Sequence, residues 1–288
     1  MKAGTRTRIL FGVIMIAALA AVLYVDWRME RAPLRPWGAG LPLTALLLCI
    51  VSIAFSEVAR LARRAGASVL GVSGRLGVLA LGLWPYWGRV AGWQWGDALV
   101  ALAGLAVLPI FLEQMIRFRT ADGLRRIAGT MLAVLYLGAG TGAILSIRMT
   151  WGLTALIWFL VVVKCTDMGA YFVGSAFGRH KLIPWLSPHK SQEGLAGGLA
   201  AGTLAGALAA WVMKMDSFPI LWAAGAGLIV SVAGQFGDLC ESLLKRSVRA
   251  KDSGEVVPQF GGLLDILDSP LLSAPVAWVI FRAIFGAA

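Results

Sequence analysis

Three polar clusters in the second half of the chain carry the side chains that could do chemistry. The most telling is Gly261-Gly262-Leu263-Leu264-Asp265-Ile266-Leu267-Asp268-Ser269. Asp265 and Asp268 are three residues apart, so a helix puts both on one face. Two carboxylates that close repel unless a cation neutralises them, which makes metal binding the economical explanation. An ordinary acidic first turn complementing the helix dipole is the alternative. The Gly261-Gly262 pair supplies permissive backbone for close approach to a phosphate. A second cluster, Gly237-Asp238-Leu239-Cys240-Glu241-Ser242-Leu243-Leu244-Lys245-Arg246, ends an apolar run. There Asp238, Ser242 and Lys245 share a helix face, offering hard oxygen ligands beside basic groups that suit a phosphate chain. A plain Glu241–Lys245 pair at a helix end is the alternative. The third cluster begins at Asp167, beside Lys164, and continues through a polar loop to Ser187-Pro188-His189-Lys190-Ser191-Gln192-Glu193-Gly194. It gathers phosphate donors just ahead of a helix start, where the dipole favours anions. A solvated loop with a serine cap reads the same way. His180 and His189 are the only histidines, too few for a histidine metal site.

The elements that must position these groups are membrane spans. Of 288 residues, 59% are apolar and 14% charged, and mean hydropathy is +0.79. A soluble domain carries about 25% charged residues, and disorder needs low hydrophobicity. Long unbroken apolar runs also exclude a β-barrel, whose strands alternate. The expectation is an all-α polytopic membrane protein with about nine transmembrane helices. These lie near 9–25, 41–56, 76–88, 97–112, 127–147, 153–173, 194–213, 218–240 and 264–284. The first run follows Lys2, Arg6 and Arg8 as a signal peptide would. It continues to Tyr24 and Asp26 with no small-residue cleavage site, so it reads as a retained helix. Residues 1–150 are expected as an N-terminal set of about five spans. Residues 151–288 form a catalytic region of about four, with cytoplasmic loops 174–193 and 241–263.

With the N-terminus inside, eighteen of the twenty-six Lys and Arg residues fall on the cytoplasmic side and six, Arg148 among them, outside. The net charge of +11 is therefore a topology signal rather than a nucleic-acid footprint. The polar site then faces the cytoplasm, and Trp84, Tyr86, Trp87, Trp93 and Trp95 form an outer aromatic belt. Gly194, Gly198, Gly202 and Gly206 recur every four residues, a small-residue face that packs helices or subunits. Cys49, Cys165 and Cys240 form no CxxC and indicate neither a disulfide framework nor a zinc site.

The polar clusters resemble the signature of the phosphatidate cytidylyltransferases (CDP-diacylglycerol synthases). That pattern reads Ser-x-x-Lys-Arg, Lys-Asp-x-Gly, His-Gly-Gly, then Asp-Arg-x-Asp-Ser. Here it is Ser242-Leu243-Leu244-Lys245-Arg246, Lys251-Asp252-Ser253-Gly254, Gly261-Gly262 and Asp265-Ile266-Leu267-Asp268-Ser269, with matching spacing. Gly237-Asp238-Leu239 and the Ser187–Gly194 loop are similar to family elements too. Phe260 stands where the pattern has His, Ile266 where it has Arg, and Ser191 where it has Thr.

The resemblance implies nucleotidyl transfer: CTP and phosphatidic acid give CDP-diacylglycerol and pyrophosphate. It implies Mg²⁺, alone or with a second cation, on Asp238, Asp265 and Asp268, with Asp167 a weaker ligand. Lys245, Arg246 and Lys251 would hold the triphosphate and the leaving pyrophosphate. Lys190 and Ser187 would contact phosphate from the other loop, and Ser242 metal or phosphate. CTP, phosphatidic acid and bilayer lipid are the expected partners, with no nucleic acid, and a homodimer is compatible. The expected location is a bacterial inner membrane. Rival readings are a CTP-dependent lipid kinase, a cytidylyltransferase acting on another lipid phosphate, and an ion-coupled transporter. The transporter reading is disfavoured because the charged clusters sit at span ends and no inverted repeat is visible.

Overall fold

The computed structural model describes residues 3–31, 38–91, 95–254, 256 and 261–286, with backbone alone for 3–10 and 95–103. Among the described residues nine α-helices follow in order: α1 Ala3–Arg31, α2 Leu41–Arg64, α3 Gly71–Ala91, α4 Trp95–Glu113, α5 Gly123–Ala133, α6 Gly140–Phe177, α7 Gln192–Val212, α8 Ile220–Ser247 and α9 Leu264–Phe285. π-turns follow α4 and α5 at Gln114–Phe118 and Val134–Ala139. The only strands among the described residues, β1 Lys181–Ile183 and β2 Ser187–Ser191, pair as an antiparallel hairpin between α6 and α7. Strands of three and five residues are too short to show a period-two pattern, so sequence reads this segment as loop.

The chain is a multi-pass membrane protein; among the described residues six helical stretches are long and apolar enough to cross a bilayer, which does not confirm the expected nine. They are Phe11–Arg31, Leu41–Arg64, Gly123–Phe177, Gln192–Val212, Ile220–Ser247 and Leu264–Phe285. The expected fifth and sixth spans fall together in the 55-residue stretch Gly123–Phe177, within which α6 is broken at Gly152 (φ 84°). The expected third span lies on α3, where Arg75, Pro85, Arg89 and several glycines dilute its hydropathy. Lys2, Arg35 and Trp93, used in the topology and belt readings, lie outside the described residues.

Two units divide the chain. The first comprises residues 1–149 and 247–266, the second 150–246 and 267–288. In the first unit, α2 presents Leu43, Leu47, Val51, Phe55 and Leu61 to a core shared with Val78, Leu81, Val134 and Leu137. Gly138 lets α3 close in, since a Cβ there would lie 3.0 Å from that of Leu81. Trp84 and Tyr86 are buried in this unit and Trp87 is half-exposed, so the expected aromatic belt is split between core and surface. Arg148, counted above as an external charge, is fully buried. It donates from Nε to Asp26 Oδ2 at 2.6 Å and from Nη2 to Glu30 Oε2 at 3.0 Å, tying α6 to α1.

In the second unit the every-fourth-residue glycine face is spent on helix packing inside the chain. Gly198 meets the Thr166 carbonyl on α6, Gly202 the hydroxyls of Thr166 and Ser231, and Gly206 the Ala223 carbonyl on α8. Thr166 and Ser231 share a buried hydroxyl–hydroxyl bond of 2.7 Å at that crossing. Trp158, Phe218 and Phe281 close the core with ring centroids 5.3 to 6.0 Å apart, and the Trp158 indole N–H donates to the Gly206 carbonyl.

Candidate metal and phosphate site

Backbone approach assembles the carboxylates of the second unit. At Gly237 on α8, a Cβ would lie 2.6 Å from the Asp268 carbonyl oxygen of α9, a separation only glycine tolerates. Asp238 is the next residue, beside that contact. The Ser269 hydroxyl donates to Asp167 Oδ1 at 3.3 Å and the Ser269 N–H to Asp268 Oδ1 at 2.6 Å. Carboxylates from three helices are thus brought near one another through Ser269 and Gly237, with Asp268 buried. Two ammonium groups balance them. Lys190 of β2 lies 2.7 Å from Asp238 Oδ2, and Lys164 lies 3.2 Å from Asp167 Oδ2. Ser242, one turn along α8, donates to Asp238 Oδ1 at 3.4 Å.

The hairpin delivers Lys190, and two devices hold the hairpin. The Ser191 hydroxyl caps α7 by accepting the Gly194 N–H at 3.1 Å, as the serine-cap reading expected. Glu193 accepts the N–H groups of Arg179 and His180 and sits 2.6 Å from His180 Nδ1. Ser187 is half-buried in β2. Arg246 donates from Nε to the Leu186 carbonyl at 3.3 Å, fastening the hairpin to the end of α8. Lys245 pairs with the buried carboxylate of Glu241, the plainer of its two expected arrangements.

The donor set around Asp167, Asp238 and Asp268 is all oxygen, which suits a hard divalent cation. Among the described residues no three acidic, histidine or cysteine side chains stand ready-made around a metal position. Lys190 and Lys164 supply the positive charge in this arrangement.

In the first unit, Asp265 is wired differently. Its Oδ2 accepts the Gly262 N–H at 2.7 Å, the Ser253 N–H at 3.1 Å and the Ser253 hydroxyl at 2.9 Å. The bond to Gly262 is a reach-back from the first turn of α9 to an N–H just before it, similar to that of a capping box. Gly262 has no side chain to complete the cap, and Glu57 of α2 completes it instead. Glu57 Oε1 accepts the Leu263 N–H at 3.1 Å and Oε2 the Leu264 N–H at 2.8 Å. Glu57 is fully buried. Nothing in the sequence reading singled it out. The available signal was a carboxylate inside an apolar helix, which is costly in a membrane unless it has work to do. Gly261 turns the chain with φ 95°, a left-handed conformation that favours glycine. Lys251 and Asp252 are exposed, Ile266 is half-buried, and Phe260 lies outside the described residues.

A model of the cytidylyltransferase family matches residues 6–284. Over 243 residues the chain is 32% identical to a phosphatidate cytidylyltransferase of Bacillus subtilis, covering 83% of this chain and 88% of the relative. It is 30% identical over 238 residues to the Staphylococcus aureus protein of that name, covering 82% and 88%. A Helicobacter pylori protein of the same name is 38% identical over 144 residues, half of this chain and 53% of the relative.

Proposed function

Because the chain belongs to the cytidylyltransferase family, we propose that it is a membrane enzyme that joins CTP to phosphatidic acid, giving CDP-diacylglycerol and pyrophosphate. The observation that carries this reading is the convergence of Asp167, Asp238 and Asp268 with Lys190 in one unit. A phosphate oxygen of phosphatidate attacks the α-phosphorus of CTP. A new P–O bond forms there as the bond to the β-phosphate bridging oxygen breaks, and pyrophosphate leaves with its electron pair. Phosphatidate is already anionic, so no general base is required. The site must position two anions in line and neutralise their charge.

Asp238 and Asp268, with Asp167, are the residues of the second unit that would hold Mg²⁺, alone or with a second cation, while Asp265, saturated with N–H and O–H donors, holds its turn instead. Bound there, the ion would supply charge neutralisation to the triphosphate. Lys190 and Lys164 hold that place by their ion pairs, and Lys190, displaced from Asp238, is positioned to take a phosphate. Lys245, Arg246 and Lys251 are assigned to the triphosphate and pyrophosphate, with Ser187 and Ser242 as hydroxyl donors. Because the Gly262 N–H is committed to Asp265, the role assigned to Gly261 and Gly262 becomes holding the turn. The positive-inside bias supports a cytoplasm-facing site in a bacterial inner membrane.

The test uses detergent-purified protein, phosphatidic acid, Mg²⁺ and CTP carrying the label on either the α- or the γ-phosphate. Lipid labelled from the α position, dependent on phosphatidate, is expected. Lipid labelled from the γ position would replace this reading with lipid kinase chemistry, and unlabelled lipid from both would overturn it.

A further inference from the structure

Glu57 stands in the first half of the chain, about 200 residues before the motif it contacts, and no side chain of the signature explains why it is there. Three groups of the motif donate to it: the Leu263 and Leu264 N–H groups and the Ser253 hydroxyl, the last at 3.2 Å. The motif's two spaced glycines make room for it. A Cβ on Gly262 would lie 2.5 Å from Glu57 Oε2, and one on Gly254 would run into Glu57 Oε1. The Ser253 hydroxyl has a single proton and two carboxylates within reach, Glu57 at 3.2 Å and Asp265 at 2.9 Å, so it links them.

These contacts have a consequence for α9. The amino end of a helix carries unsatisfied N–H groups that ordinarily attract a phosphate. At α9 the Gly262, Leu263 and Leu264 donors are all taken by protein carboxylates. We infer that Glu57 is a positioning residue: it serves as the missing cap of α9, fixes the Ser253–Asp265 segment, and thereby holds the first turn of α9, along which Asp265 and Asp268 follow one another. This rests on the nucleotidyl-transfer reading above. It assigns to α2 a part in holding the Ser253–Asp265 segment of a signature that lies wholly in the last third of the chain.

Glu57→Gln keeps the shape of the side chain but turns an NH₂ toward one of the two helix N–H groups, so one bond is lost and two donors face each other. The expected outcome is a loss in turnover of about 10- to 100-fold, with a matching rise in the Mg²⁺ concentration for half-maximal rate and in the KM for CTP. The KM for phosphatidate should stay within about twofold. A purely structural role would lower the active fraction and leave those concentrations alone. Glu57→Asp, which keeps the charge, should recover part of the loss. Hydrogen exchange gives a readout that needs no activity: amides across 253–265 should exchange faster in Glu57→Gln, with α7 and α8 unchanged. Should Glu57→Gln fail to fold, Gly254→Ala displaces the same carboxylate by steric pressure and should reproduce the effect. Wild-type Mg²⁺ and CTP dependence in a folded Glu57→Gln or Gly254→Ala protein overturns the inference, as does unchanged exchange at 253–265. If the wild-type chain makes no labelled lipid, it is the reaction that fails, and the exchange comparison alone decides whether Glu57 holds the turn.

Discussion

Glu57 and Asp265 in one unit and Asp167, Asp238 and Asp268 in the other are all carboxylates carried on apolar helices, yet their surroundings are opposite. Glu57 and Asp265 are buried or half-buried among N–H and O–H donors: backbone amides of Ser253, Gly262, Leu263 and Leu264, and the hydroxyl of Ser253. Their charge is satisfied by the fold. Asp167, Asp238 and Asp268 lie near one another and rely on Lys164 and Lys190. Their charge is left available to exchange partners. A carboxylate saturated with donors holds structure, because removing it strands those donors. A carboxylate set against its own kind raises the energy of the empty site and lowers it when a cation arrives. The two motifs look alike in sequence and separate only by what the fold places beside them.

Substitutions that remove charge should therefore act oppositely in the two clusters. The largest effect is expected for Asp268→Asn. Labelled-lipid formation should fall by about 100- to 1,000-fold, as losing a charge-stabilising group at the reacting phosphates would require. Its thermal midpoint in detergent should hold or rise, since repulsion with Asp238 and Asp167 is relieved. A sharp fall in stability would put Asp268 with the structural carboxylates and erase the contrast. Next comes Lys190→Met, which leaves Asp238 without its ammonium partner. CTP-dependent turnover should drop by about 10-fold or more, with protein yield intact. Turnover at the wild-type level would remove Lys190 from phosphate binding. On the other side of the comparison, Glu57→Gln should lower stability by about 1–3 kcal/mol, the cost of stranding buried donors. A midpoint equal to wild type would mean the clamp carries no strain when cut. Smallest is Ser191→Ala, which removes the α7 cap that helps present Lys190. About 1 kcal/mol of stability is expected to go, with turnover reduced less than in Lys190→Met. A loss as large as that of Lys190→Met would show that the cap governs the hairpin as a whole.

Composition and apolar run length were enough to establish an all-helical membrane protein, because hydrocarbon forces every backbone polar group to find its partner within the helix. The run of glycines from Gly194 to Gly206 showed a close-packing face. Spacing of Asp238, Lys245, Asp265 and Asp268 showed that charge would collect on shared helix faces, and a serine cap ahead of α7 was one reading of its loop, though which serine caps it came from the structure. The number of crossings was not, since the Gly123–Phe177 stretch hides its break at a single glycine and α3 mixes apolar residues with arginine and proline.

What only tertiary structure decided is partnership between residues far apart in the chain. Glycine periodicity does not say whether the matching surface is another subunit or the chain's own α6 and α8; the carbonyls of Thr166 and Ala223 against Gly198 and Gly206 do. Arg148 counts as an outside charge until Asp26, 122 residues earlier, is found 2.6 Å away. Glu57 is one acid among basic neighbours until the α9 amides point at it. Residue type and spacing record what a side chain is able to do within a turn or two of helix. The charge it meets, and so whether it binds a ligand or holds the fold, is set by contacts whose separation in sequence leaves no local pattern to read.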